Sequence, residues 1–481
     1  MRKSYYYYEN NPFDMTLRPD GYLPRLIDEV IPKKLRTFGA VSIEGPRWCG
    51  KTWTAENHAN SETKITAMSG PIPMRDIIRD DPRIALKGDR PHLIDEWQEL
   101  PFLWDIVRNS VDESRDKGQY ILTGSSIPRR DKVIHSGTGH IGKVRMRTMT
   151  LLESGDSDGT VSLRKLFDDG IETRDCGNVS LDRLIDLCIR GGWPSEIGYD
   201  TDLGSSAKDY IEHASEDAAT MDERNRNEKK MMMLIRSLSR NESTLASSAK
   251  IMSDMKENDN ESISRDTYEE YWNCLYRMHL IDDIPSFSPN LRSDARIGKS
   301  PKRHLTDVSL AIASLGLNRE MLKNDLNTLG MFFEALCEHD LRIYTEHLGG
   351  HLFHYRDGRG REIDAVVELE DGRWGAFEIK LGAGQIDSAA ENLLRINRFF
   401  TDEGCPPVRP VRRLRNDHLC IQASGRRVRR PDNLSGPMTP VRCSCTRTRP
   451  STCTVLRIWG SRAPPGSRPS GSSTPGWQRS P

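Results

Sequence analysis

The 481-residue sequence has no apolar run approaching the roughly 18 residues that a membrane span requires. Its first twenty residues, MRKSYYYYENNPFDMTLRPD, contain no apolar core of the kind a secretory signal carries, which argues against export. Net charge is missing too, because 70 Lys and Arg balance 70 Asp and Glu. Aromatic residues make up only 7% and mean hydropathy is −0.64, yet the 36% of hydrophobic residues exceeds what a wholly disordered chain carries. The length suggests about three domains of a soluble protein.

The zero charge is a cancellation between unlike pieces. Residues 405–481 hold fifteen Arg, no Lys and two acids, Asp417 and Asp432, a net +13, so residues 1–404 carry −13. Five of the ten Cys and twelve of the 27 Pro lie in that same stretch. The other five, Cys49, Cys176, Cys188, Cys274 and Cys337, are scattered without pairing, which fits reduced thiols in a cytoplasm. No internal repeat is evident. A Tyr-rich leader (1–20) precedes an α/β block (21–200), a mostly helical block (203–317) and a helix–strand–strand–strand–helix block (319–404). Residues 405–481 sustain neither period and are expected to be disordered.

In the first block, Gly45-Pro46-Arg47-Trp48-Cys49-Gly50-Lys51-Thr52 matches GxxxxGK[ST] in full, with strand-like Ala40–Glu44 before it and a helix expected from about Lys51. Glycines let successive backbone N–H groups converge on phosphate oxygens, and the helix start adds a favourable dipole. Lys51 is expected to reach the β- and γ-phosphates and Thr52 to ligate Mg²⁺. Farther on, Pro91-His92-Leu93-Ile94-Asp95-Glu96 is a short apolar strand ending in two carboxylates. Asp95 is assigned to the Mg²⁺ shell and Glu96 to polarising the attacking water. A third strand, Gln119–Leu122, ends at Thr123-Gly124-Ser125-Ser126, where Thr123 or Ser125 could sense the γ-phosphate. Chance Gly-rich turns and surface acid pairs produce either motif alone; their order gives the weight.

GPRWCGKT, LIDEWQ and YILTGSS in that order, with YLPRLID and HSGTGHIGKVRMRTMTLLES, resemble the bacterial and archaeal AAA-type ATP-binding proteins that carry a C-terminal domain of unknown function. The resemblance runs from about Gly21 to Gly404 and implies ATP and Mg²⁺ as ligands, a winged-helix-like middle and assembly with further copies of the chain. His140 stands where the family pattern usually has Arg, and it holds no permanent charge near neutral pH. Arg145 and Arg147 remain as candidate arginine fingers, with ordinary surface charge as the alternative.

In the helical block, ISRDTYEEYWNCLYRMHLIDDI reads as the end of a helix-turn-helix, capped by Ser264, with Tyr268, Tyr271, Leu275 and Met278 at helical spacing. Asp266, Glu269 and Glu270 beside Arg265 and Arg277 make it a poor phosphate-binding face, so a structural or interaction role is favoured over base reading. Met231–Met233 is expected to fill the core.

The third block presents Glu334 on a helix, Asp364 on a strand and Glu378-x-Lys380 on the next, the order of the PD-(D/E)XK nuclease core. Asp364 and Glu378 would hold Mg²⁺ or Mn²⁺, and Lys380 would orient or deprotonate water on a DNA substrate. A two-residue turn at Asp371-Gly372 would send the two carboxylates to opposite faces. A three-residue loop, Glu370-Asp371-Gly372 with Gly372 left-handed, sets Asp364 opposite Glu378 and is the expected form. It also gathers Ile363, Ala365, Val367, Leu369, Phe377 and Ile379 on one face. Ordinary surface charge, or an inactive relic, is the competing interpretation.

Cys443-x-Cys445 with Cys453 lacks a fourth zinc ligand at suitable spacing. Arg without Lys, amid Pro, Ser, Gly and Cys, fits out-of-frame translation of a GC-rich gene from about Cys405 better than a nucleic-acid-binding arm. The sequence therefore points to an α/β, AAA-type P-loop ATPase, with an ATP-dependent nuclease or a nucleotide-switched interaction module as alternatives.

Overall fold

The computed structural model describes residues 17–128, 133, 135–159, 161–168, 179–198, 202–223, 225–288 and 300–402. The expectations for Cys176, most of the leader and residues 405–481 lie outside the described residues.

Seven strands lie in the first part of the described chain: β1 (Ala40–Glu44), β2 (Ser61–Lys64), β3 (Met68–Ser69), β4 (Ile72–Pro73), β5 (His92–Asp95), β6 (Tyr120–Gly124) and β7 (Ile141–Arg145). Five form a parallel sheet in the order β2-β5-β6-β1-β7, and β3 and β4 make a separate hairpin. The sheet is covered on both sides, so β1 and β6 read as almost continuous apolar runs. Alternate residues divide between two cores. Ala40, Ile94 and Leu122 pack with Trp104, Val107 and Val111 of the helix Leu103–Ser114. Val41, Ile43, Leu93 and Ile121 pack with Ile31, Leu35 and Ala55. The order β5-β6-β1 brings the ends of the three motif-bearing strands side by side, with β6 between the other two. That row of strand ends is where ligands of open α/β sheets bind.

The middle of the chain is helical: Leu181–Arg190, Ser205–Thr220, Glu228–Arg240, Ser248–Asn258, Arg265–Arg277 and Val308–Ser314. They share one core, in which Met231 and Met233 are buried as filling. The Ser264 side chain accepts from the Thr267 N–H and starts the helix Arg265–Arg277. Antiparallel bridges join Ile281 to Leu305 and Ile284 to Lys302.

In the last part, β8 (His351–Arg356), β9 (Glu362–Glu368) and β10 (Trp374–Phe377) form an antiparallel sheet in the order β10-β9-β8. The helix Leu326–His347, capped by Asp325, contributes Phe333, Cys337 and Leu341 to one face. The helix Ile386–Asp402 contributes Leu393, Ile396 and Phe400 to the other. Trp374 pairs with Glu368 and Phe377 with Ala365. Leu369 N–H donates to Arg373 O at 2.8 Å, leaving Glu370-Asp371-Gly372 as a three-residue loop, with Gly372 at φ +79°. The expected register is therefore present, and continuing it sets Glu378 opposite Asp364. One detail differs. Ile363 packs with Leu393 and Ile396 instead of with Ala365 and Val367, beside the register shift between Phe353 and Tyr355. Both faces are buried, so Ile363 finds an apolar partner on either side. No helix among the described residues is long and apolar enough to cross a membrane.

Candidate functional site

The loop after β1 is tied to the sheet by Gly45 N–H donating to Gly124 O at 3.3 Å. A Cβ at Gly45 would lie 2.2 Å from Met146 O, so no other residue fits without backbone movement. Gly50 sits at φ +98° immediately before the helix Lys51–Glu56. Lys51 is buried, its Nζ donating to Pro46 O at 2.8 Å across the loop. Cys49 is buried too, and its carbonyl accepts from Arg25 Nη1 at 2.9 Å. The side chains of the two preceding positions reach across to the helix Ser205–Thr220: Arg47 pairs with Asp217, and Trp48 meets the Tyr210 ring edge-on at 5.4 Å. A cavity of about 430 Å³ opens over this loop, lined by Lys51, Thr52, Glu96 and the half-exposed Trp48 and Trp53.

At the end of β5, Thr52 Oγ1 donates to Asp95 Oδ1 at 2.9 Å and Thr123 Oγ1 donates to the same oxygen at 2.5 Å. Burial raises the Asp95 carboxyl, while its bonds with Thr123 and Thr52 oppose that shift. Glu96 takes a left-handed conformation, φ 60°, and its N–H donates to Thr123 Oγ1 at 3.0 Å. Its carboxylate accepts from Ser125 Oγ at 2.9 Å and from Gln98. Thr123 is fully buried and braces both acids; Ser125, with Gln98, is the side chain that reaches the Glu96 carboxylate. Thr52 and Asp95 supply adjacent hard oxygen donors, a set that fits Mg²⁺.

The candidate fingers behave differently. His140 Nδ1 lies 3.0 Å from Asp112 within the same sheet domain. Arg145 pairs with Asp282 at 3.1 Å. Arg147 is almost completely buried and pairs with both Asp282 and Glu346, joining three parts of the chain. In this arrangement Arg147 is neither a projecting finger nor a surface charge.

The second candidate site is equally specific in its contacts. Lys380 Nζ lies 2.7 Å from Asp364 Oδ2 and 2.8 Å from Glu378 Oε2, and Asn392 Nδ2 donates to Glu378 Oε1 at 2.7 Å. Burial, then the Asp364 charge, pushes the Glu378 carboxyl up to about 7. Glu334 is not bonded to these three among the described residues. It pairs with Lys302, whose Nζ also binds Glu338 Oε1 at 2.7 Å and Asp364 O at 3.3 Å. Lys380 thus lies between the strand carboxylates, and Lys302 beside the helix carboxylate. Among the described residues no group of three or more His, Cys, Asp or Glu is arranged to hold a metal ion.

Lys302 and His304 were not legible in the sequence because SPKRHLTD looks like a solvated loop, and Glu338 because it lies on the separate helix Leu326–His347. His304 Nδ1 lies 2.8 Å from Glu242 Oε1 and its Nε2 lies 3.1 Å from Glu338 Oε2, all three groups buried. Burial alone lowers the imidazole, but Glu338 and then Glu242 outweigh it and raise it to about 10. A raised folded-state value gives stability that is complete below about pH 6.5, the unfolded value, and lost as pH rises through about 10. Urea denaturation should show this loss in the parent chain and a flatter profile in His304→Gln. Identical pH profiles would contradict the pairing.

Three family matches lie along the chain. Residues 37–154 match the family described as AAA domain, so the chain carries an AAA-type P-loop domain. Residues 181–321 and 329–410 match two families, each described as a domain of unknown function (DUF8612 and DUF4143). Uncharacterised proteins of Mycobacterium bovis and Mycobacterium tuberculosis are each 24% identical over 352 residues, 72% of this chain and 71% of theirs. Among solved structures, a Walker-type ATPase of Pyrococcus abyssi is similar at TM-score 0.38 and 12% identity, over 62% of this chain and 97% of that one. The Holliday junction branch migration motor RuvB of Thermotoga maritima is similar at TM-score 0.25 and 17% identity, over 56% and 93%.

Proposed function

We propose that this protein binds ATP with Mg²⁺ and hydrolyses it. The observation that carries this reading is the meeting of Lys51, Thr52 and Glu96 around one cavity, with Asp95 bonded to Thr52 behind them, at the ends of neighbouring parallel strands. Backbone N–H groups of the 45–52 loop would cradle the phosphates, and Lys51 would exchange Pro46 O for a phosphate oxygen. Thr52 and Asp95 would hold Mg²⁺, which supplies charge neutralisation at the phosphates when bound. Glu96, steadied by Ser125 and Gln98, would orient the attacking water and take its proton. Gly45 to Cys49 shape the loop, and Thr123 positions both acids. Chelating Mg²⁺ with EDTA should weaken binding of a fluorescent ATP analogue by about tenfold, as expected for a lost charge-assisted contact. Equal affinity with and without Mg²⁺ would remove Thr52 and Asp95 from that role.

A second reading, an ATP-dependent nuclease, is favoured by the convergence of Asp364, Glu378 and Lys380. Mn²⁺-dependent DNA cleavage that disappears in Asp364→Ala would support it; DNA left intact by the parent chain would end it. Glu334 would then act only after leaving Lys302. If ATP binds and neither ATP nor DNA is cut, a nucleotide-switched interaction module is the better description. The same reading divides the chain at about 21–200, 203–317 and 319–404. It takes the helix Arg265–Arg277 with the bridged segments 281–284 and 302–305 as winged-helix-like, and the last sheet as PD-(D/E)XK-like. A cytoplasmic location and assembly with further copies of the chain belong to it as well.

A further inference from the structure

A second cleft has a volume of about 860 Å³ and shares no lining residue with the nucleotide cavity. It runs between the two sheets, from β7, an edge strand of the first, to β8, an edge strand of the second. The helix Ile31–Thr37 and the start of the helix Leu163–Asp168 border it. Seven Lys and Arg side chains line it against three carboxylates, in a body whose residues 1–404 carry −13 overall.

The deep cations are already engaged, Arg25 by Glu153 and Arg147 by Asp282 and Glu346. Those at the border are different. Lys33, Lys34 and Arg164 have no ion-pair partner among the described residues, and Lys34 Nζ lies 5.6 Å from the centre of the Phe38 ring. Exposed lysines on a solvated helix, or charges that blunt a sheet edge, are the ordinary explanation for such residues. Lys143 on β7, paired with Glu44, fits that explanation. It does not account for unpaired cations gathered from two separate helices around a cleft that also contains Phe38, Val144 and Leu348.

We propose that this cleft binds single-stranded nucleic acid along its phosphate chain. A lone phosphate calls for one convergent cradle, whereas here the free cations come from separate elements and alternate with apolar surface. A strand of nucleotides has the matching alternation, phosphates for Lys33, Lys34 and Arg164, and flat bases for the Phe38 and His351 rings. An acidic peptide would satisfy the cations and leave the rings without a planar partner.

The test is fluorescence anisotropy of a labelled oligothymidine of about twenty nucleotides, long enough to cross the cleft, titrated with the full chain over a range of salt. Residues 405–481, with their fifteen Arg, are present in every variant, so differences report on the cleft. Lys33→Glu/Lys34→Glu/Arg164→Glu should weaken binding by about tenfold or more. It should also reduce the log-affinity against log-salt slope by about 2, as expected for three lost single-strand phosphate contacts. The neutral Lys33→Gln/Lys34→Gln/Arg164→Gln set should give the same direction with a smaller loss, and both sets should bind ATP like the parent chain. Unchanged affinity and slope would overturn the proposal. Displacement of the oligonucleotide by poly-glutamate at equal charge concentration would also overturn it, in favour of an acidic peptide.

Discussion

Lys51→Ala should lower ATP affinity by about tenfold to a hundredfold in equilibrium titration, the range for removing a hydrogen-bonding charge from a charged ligand. The side chain is buried, but its only polar contact among the described residues is to Pro46 O, within its own loop. Its removal therefore leaves one carbonyl without its donor and no orphaned charge. The fold should survive and the ligand should not bind well. Unchanged ATP affinity in a folded Lys51→Ala protein would refute the nucleotide site.

The largest effect on stability should come from a residue far from that loop. Lys302 is 2% exposed and its ammonium touches Glu334, Glu338 and the carbonyl of Asp364. Lys302→Met keeps the volume and takes from the buried Glu338 and the partly buried Glu334 the cation they share, which should cost about 3–5 kcal/mol. The midpoint of urea denaturation should fall accordingly. Adding Glu334→Gln and Glu338→Gln to the same chain should restore part of the loss, because the uncompensated charges are then gone. A single Lys302→Met variant as stable as the parent would contradict the burial and pairing described above.

What the sequence made legible is what depends on near neighbours. Gly45 to Thr52 lie within one turn of the chain, and their chemistry follows from their spacing. The hairpin register was equally readable: alternation admits few alignments, and Gly372 provides the left-handed residue that a three-residue loop needs. Arg147 was not readable, because its partners Asp282 and Glu346 are 135 and 199 residues away. A cation after a strand looks the same in sequence whether it projects toward a neighbouring subunit or is buried against a distant helix. Lys302 and His304 were hidden for the same reason, their carboxylates coming from Glu242, Glu334 and Glu338. Net charge concealed the cleft: an acidic body argued against polyanions until folding brought Lys33, Lys34 and Arg164 to one border.

Hydrolysis is the central claim, and phosphate release from MgATP by the parent chain and by Glu96→Gln tests it most directly. Glu96 holds Ser125 and Gln98 at the end of β5, and Gln keeps that shape while losing the base. The parent should release phosphate, and Glu96→Gln should bind ATP as tightly while turning over about a hundredfold more slowly, the lower end for loss of a general base. Equal rates in the two proteins, or ATP bound by the parent with no phosphate released, would contradict the account.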